Sequence, residues 1–378
     1  MSQEIKGPTY LSLETPPGRA PDESRLDGNS AGVATPSSPG KAEFPATTEV
    51  VYVNGINTTY DRELADATKY ADLIHAPVRL IHAATNGMSS DLETCASEKF
   101  GFANNPPERA VVSEVLKHVH GADFQGDIHF MAHSRGALVL QRGLEMVEQR
   151  LGQEHLSKSE IKAVMSHISV ETVGGASVGM PSGVRCVNYV NAHDSVANVF
   201  GMGTPSGRDI AELTGLAAGL GPIAGTVLEA KVLSDRENVR PNGPVVAVPP
   251  VHPERRASQY TDLLENHNID QYLAHRQPFE QTYERWQHHS VSKAIEDLGQ
   301  RGHRLPPVTS VEGWNGRAVT GTVVALEYGD HAIHIGRGKY MTFNAAHRFG
   351  TEAPIHGEQV RVGKDGIVEH DGAASLSR

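Results

Sequence analysis

Cysteine is almost missing: the 378 residues contain two, Cys95 and Cys186. Two are too few for a disulfide framework and their spacing fits no zinc site, so a reducing compartment is the expected setting. Positive charge is scarce as well. The 34 Lys and Arg stand against 45 Asp and Glu, a formal charge of -11, whereas general attraction to nucleic acid or an anionic membrane needs clustered cations. No phosphate-binding glycine loop, metal-spaced Cys/His group or basic aromatic stripe occurs, so no cofactor, metal or nucleic-acid partner is expected. The N-terminal "MSQEIKGPTYLSLETPPGR" lacks a basic segment followed by an apolar run, which argues against a conventional secretory signal and for a cytoplasmic start.

What is present supports a sizeable core, at 38% hydrophobic residues. Residues 1–45, rich in Pro, Gly, Ser and charge, lack the apolar periodicity that repays ordering entropy, and read as a disordered tail. Six apolar runs follow, each ending in a turn: "TEVVYVNGINTT", "APVRLIHAATNG", "GDIHFMAHS", "SHISVETVGG", "VRCVNYVNAHD" and "GPVVAVPPV". Helical patterns such as "DRELADATKYADLIH", "PERAVVSEVLKHVHG" and "RGALVLQRGLEMVEQRLG" lie between them. Strands alternating with helices predict an α/β domain over 46–300, with a mostly parallel sheet covered by helices on both faces.

Residues 204–240 break this rhythm with "GRDIAELTGLAAGLGPIAGTVLEAKVL", apolar and rich in Gly and Ala. They read as an insertion, either a lid able to make transient membrane contact through 210–233 or a buried helical hairpin; Pro222 and the interior glycines oppose a straight span. A linker is expected over 301–314, then a small antiparallel β module over 315–370 with a hairpin turning at "KDG", and a tail over 371–378. Two His alternate in "HAIHIGRG"; without further placed ligands they read as a solvated strand face.

The stretch "DIHFMAHSRGALVLQ" runs an apolar strand into Ser134 and leaves on a helix of good formers. Ala132-His133-Ser134-Arg135-Gly136 follows the nucleophile-elbow pattern, with Ala in the first glycine position. A sharp strand-to-helix turn needs small neighbours, exposes the hydroxyl above the sheet, and offers the amide of Arg135 at a helix N-terminus to an oxyanion. The alternative is an elbow-shaped turn kept for packing.

An acid and a base should follow in chain order. Asp194, in "VNYVNAHDSVANV", falls just past a strand end, where a carboxylate can orient a histidine; it can also cap the helix starting at Ser195, and the two roles are compatible. Among the histidines, His267 sits in the polar loop "ENHNIDQYLAH" between Asn266 and Asn268 and is the expected base. His252 lies between prolines, His275 is further along, and His193 precedes the acid. The second oxyanion donor is expected from "VNGINTTY", where Gly55 permits close approach and the amide of Ile56 or the side chain of Asn57 faces the oxyanion.

With "VNGI", "AHSRG", "NAHDSV" and "NHNIDQYL" at matching places, residues 50–273 resemble an α/β-hydrolase. Within that superfamily the chain is similar to bacterial lipase-like proteins with an "NG" opening and an "N..D.V" acid loop, including ones delivered into other cells as effectors. The resemblance implies Ser134, Asp194 and His267 as a triad, an ester or lipid as substrate, and export by a specialised secretion system as a route out of the cytoplasm. Its departure, Ala132 for Gly, is one that several lipases of the superfamily share. The C-terminal module, through "GTVVALEYGDHAIHIGRGKYMTFNAAHRF" and "GEQVRVGKDG", resembles the KfrB domain of conjugative-plasmid proteins. The expected activity is therefore serine ester hydrolysis, with a non-catalytic scaffold acting through the KfrB-like end as the alternative.

Overall fold

A computed structural model describes residues 32–85, 105–120, 126–206, 242–251, 265–302, 304–313, 317–326, 331–343, 348–349, 358–363 and 367–370, with isolated positions inside 91–99 and 209–239. The 204–240 insertion, save a few of its residues, and the "KDG" turn lie outside them. Among the described residues no helix is long and apolar enough to cross a membrane.

All six apolar runs are strands of one sheet: β2 (Glu49–Val53), β3 (Val78–Ile81), β4 (Ile128–His133), β5 (Ile168–Val173), β6 (Arg185–Asn191) and β7 (Val245–Val248). A short edge strand, β1 (Val33–Ala34), pairs antiparallel with β3, and the other pairs are parallel, in the order β1-β3-β2-β4-β5-β6-β7.

Helices cover both faces, so most central-strand residues are buried whichever way they point. On one face Val50, Tyr52 and Met131 pack against Ala67, Tyr70 and Ile74 of α1 (Tyr60–Ile74). On the other, Val51, Val53, Phe130 and Ala132 pack against α2 (Pro106–His120), through Val111 and Val115, and against α3 (Arg135–Gln153). The next helix, α4 (Lys158–Met165), closes that layer with Met165 and is held at its start by a capping box between Ser157 and Glu160. The short α5 (Ser195–Phe200) follows β6. The first face is completed by Tyr272 and Leu273 of α6 (Ile269–His275) and by Phe279 and Tyr283 of α7 (Phe279–Gln300).

The strand order reverses at β2, which pairs with β3 on one side and β4 on the other. In open parallel sheets the crevice beyond the carboxyl ends of strands at such a switch is where ligands bind. Gly55, Ser134 and Asp194 follow the carboxyl ends of β2, β4 and β6.

Two boundaries differ from expectation. The tail does not extend to 45: Val33 pairs with Arg79, Phe44 is buried with its ring 4.2 Å from that of His129, and both Glu43 carboxylate oxygens accept from Arg276 at 2.7 Å. A few tertiary anchors order this stretch despite its polar, Pro-rich composition, which is all that composition-based reading weighs. The second sheet also starts inside the expected linker, with β8 (Ser310–Gly313), and continues through β9 (Val319–Ala325), β10 (His331–Gly336), β11 (Lys339–Phe343), β12 (Arg348–Phe349), β13 (Gln359–Val362) and β14 (Ile367–His370).

The second sheet is not wholly antiparallel, because β8 runs parallel to β11 and β12 parallel to β14. Val291 and Leu298 of α7 pack on Val324, Ala332 and Tyr340, while Leu305 and Val308 lie against the same cluster. The expected linker is thus partly core, its prolines having masked apolar residues that find partners across the sheet.

Candidate active site

Ser134 joins β4 to α3 with φ 55° and ψ -127°, a conformation that non-glycine residues rarely hold and that surrounding structure must enforce. Its amide donates to Val173 O at 3.1 Å, and its carbonyl accepts from Ala137 N and Ala176 N. The turn is tight because the chain after β2 presses against it. A Cβ on Gly55 would lie 2.6 Å from Ser134 Cβ, and one on Gly136 would collide with the carbonyl oxygens of Val53 and Asn54. Small residues are required there by the packing, as the elbow pattern predicts.

His267 comes to Ser134 across 133 positions of chain: its Nε2 lies 2.7 Å from Ser134 Oγ, and its Nδ1 lies 2.7 Å from Asp194 Oδ2. An ionised carboxylate only accepts, so Nδ1 carries the proton and Nε2 is left to accept from the serine hydroxyl. The asparagines flanking His267 hold it in place. Asn266 Oδ1 accepts from Asn191 Nδ2 at 3.1 Å and from Val251 N at 3.1 Å, while Asn268 caps α6 through the amide of Asp270.

Asp194 divides its two oxygens between the helix that follows it and His267. Oδ1 accepts from Val196 N at 2.9 Å and Ala197 N at 3.3 Å, capping α5, while Oδ2 faces His267. The residue is fully buried, and Tyr272 O–H donates to the same Oδ2.

His133, adjacent to the serine, stacks on His267 with ring centroids 5.0 Å apart and donates from Nε2 to His267 O at 3.0 Å. Burial, together with the neighbouring His267, pushes its pKa down to about 3, so the ring is neutral. His129, inside the first core, is likewise held below the ordinary histidine range, mainly by burial. Both accept a proton near pH 6.5 once unfolded but not while folded, so stability is fully present above about pH 6.5 and falls below it, by up to about 1.4 kcal/mol per pH unit for each. The urea midpoint should therefore drop between pH 7 and pH 5. His133→Gln, which keeps a donor but cannot titrate, should flatten that drop, and an unchanged slope would refute the assignment.

The expected oxyanion donors are unequal. The amide of Arg135 belongs to the first turn of α3, where amides have no acceptor within the helix. Gly55 touches Ser134, whereas Asn57 is exposed with φ 50° and its amide donates to Asp91 Oδ2 at 2.7 Å. The Asn57 backbone amide is thus held by Asp91, and Gly55 lies against the serine. Asn54 braces the turn by donating to Ala83 O and accepting from Ala83 N.

Arg135 also directs its side chain away into a buried pair with Glu98, Nε to Oε2 at 3.0 Å and Nη2 to Oε1 at 2.5 Å. Burial works against its charge, but Glu98 more than offsets this and raises the guanidinium pKa. Sequence reasoning missed Asp91, Glu98, His133 and Tyr272. The last stands five residues after His267 on a short helix, a spacing that carries no signal until the helix is placed.

Of the competing histidines, His193 donates its amide to Asn191 Oδ1, His275 is exposed at the end of α6, and His252 lies outside the described residues. Both cysteines are free thiols. Burial raises their pKa values above the ordinary thiol range. Among the described residues no group of His, Cys, Asp and Glu could hold a metal ion. A hydroxyl hydrogen-bonded to an imidazole that is itself oriented by a carboxylate is the arrangement that activates a serine for attack on an electrophilic carbon. Comparison with protein-family models and with curated proteins finds no match for this chain.

Proposed function

We propose that the protein is a serine hydrolase of the α/β-hydrolase type, cleaving carboxylic esters through Ser134, His267 and Asp194. The observation that carries the reading is the continuous hydrogen-bond chain from Ser134 Oγ through His267 to Asp194, built from three separate loops at the carboxyl edge of one sheet. Ser134 Oγ attacks the carbonyl carbon while its proton passes to His267 Nε2. The carbonyl oxygen becomes an oxyanion facing the amide of Arg135 and the Gly55–Ile56 turn. Collapse expels the alcohol with the proton from His267, and water then releases the acid by the same steps in reverse.

An ester is preferred to an amide on resemblance. A lipid or phospholipid substrate is what the resemblance implies, and the apolar composition of residues 210–233, which lie almost wholly outside the described residues, agrees with it. A fluorophosphonate probe tests the core of the proposal. The folded protein should be labelled and Ser134→Ala should not; a folded, unlabelled wild type would instead favour a non-catalytic scaffold. Comparing phosphatidylcholine vesicles with a short soluble ester tests the lipid part, which fails if aggregated substrate brings no gain.

A further inference from the structure

Asp194 is shut from water yet carries a full set of partners: two amides on Oδ1, and His267 Nδ1 with Tyr272 O–H on Oδ2. Two donors therefore converge on one oxygen, and only one of them belongs to the relay that leads to Ser134. The fold makes room for this convergence. Gly174, just past β5, has φ +56°, and a Cβ there would lie 2.7 Å from Asp194 Oδ2 and 3.0 Å from the Tyr272 hydroxyl. Tyr272 is on α6, whose N-cap is Asn268, so one rigid element carries the phenol and begins beside the base.

We infer that Tyr272 is a positioning residue, whose hydroxyl fixes the Asp194 carboxylate against His267 and sets the strength of the hydrogen bond between them. This deepens the hydrolase reading and rests on it. With the imidazole alone on Oδ2, carboxylate and ring can shift together about the Cβ–Cγ bond; a second donor from another residue fixes that oxygen independently of the ring. The phenol also draws charge from Oδ2, so His267 Nδ1–H meets a weaker acceptor than an unpartnered buried carboxylate would offer. Its own proton stays in place, because burial and the adjacent Asp194 raise the Tyr272 pKa well above the ordinary phenol range.

Tyr272→Phe keeps the buried ring and deletes only the donor. With a short p-nitrophenyl ester, kcat should fall roughly tenfold while KM stays within about twofold, because substrate binding is untouched and orientation of the base is not. In the proton NMR spectrum the far-downfield resonance of the His267–Asp194 hydrogen bond should move further downfield as Oδ2 loses its competing donor. If the phenylalanine variant does not fold, 3-fluorotyrosine at 272, nearly isosteric and a stronger donor, should move the same resonance upfield.

An unmoved resonance, or a kcat loss that merely follows a lowered thermal midpoint, would overturn the inference. Absence of Ser134-dependent fluorophosphonate labelling in the wild type overturns the hydrolase reading instead. The resonance still tells the two failures apart, since it reads the Tyr272–Asp194–His267 geometry without turnover.

Discussion

Ser134→Ala should lower ester hydrolysis by about a thousandfold or more, His267→Ala should do the same, and the double variant should be scarcely worse than either. The reason lies in the shared proton. Without Oγ there is nothing for His267 Nε2, 2.7 Å away, to deprotonate, and without the imidazole the hydroxyl is a weak nucleophile with no acceptor for its proton. Residual turnover should persist, because the amide of Arg135 and the Gly55 turn still face a developing oxyanion when water attacks. Initial rates on a p-nitrophenyl ester, with circular dichroism to establish that each variant is folded, provide the measurement. Losses that multiply in the double variant would mean that the two residues act independently, and the relay assignment would fall.

The sheet was legible because its central strands are buried on both faces, so Val50–Val53 or Ile168–Val173 reads as an uninterrupted apolar run. The placement of Ser134, Asp194 and His267 was legible for a different reason: the first two each follow the end of a strand, and the third stands just before an Asn-capped helix start. Tyr272 was not. A buried tyrosine on a short amphipathic helix looks like core until its hydroxyl is placed against a carboxylate from another loop, 78 positions away. The same limit hid Glu98 as the partner of Arg135, 37 positions apart, and Asp91 as the acceptor of the Asn57 backbone amide, 34 positions apart. Local pattern reports which face a residue shows, not which distant polar atom meets it there. The misplaced boundaries at 45 and 314 share this cause: Glu43 and Val308 sit in Pro-rich sequence and acquire their meaning from Arg276 and from the second sheet.

The largest stability effect is expected at Arg276, which closes α6 and reaches into the first core. Its Nε donates to Glu171 Oε2 at 2.8 Å and its Nη atoms to both oxygens of Glu43, while Tyr70 O–H adds a 2.9 Å bond to Glu171 Oε2 and His129 joins Tyr70 to Ser169. Burial alone would push the Glu171 carboxyl up, but Arg276 and the hydrogen bond from His129 pull it down to about 2, so it is ionised in the core. Arg276→Ala strands that charge where no water reaches, and removing one partner of a buried pair costs about 3–5 kcal/mol, a large share of a typical domain's 5–15 kcal/mol. A carboxyl with a depressed native pKa contributes stability that is fully present above its unfolded value, about 4.3, and lost as pH falls toward 2. The gap between wild type and Arg276→Ala should therefore be widest near neutral pH and should narrow below about pH 4.3. Urea titrations at pH 7 and pH 3.5 read both quantities. Adding Glu171→Gln to Arg276→Ala should recover part of the loss at pH 7, because the stranded charge is gone; a double variant no more stable than Arg276→Ala alone would mean that the arginine acts through packing on Tyr70, whose ring lies 5.1 Å from its guanidinium, and not through the carboxylate.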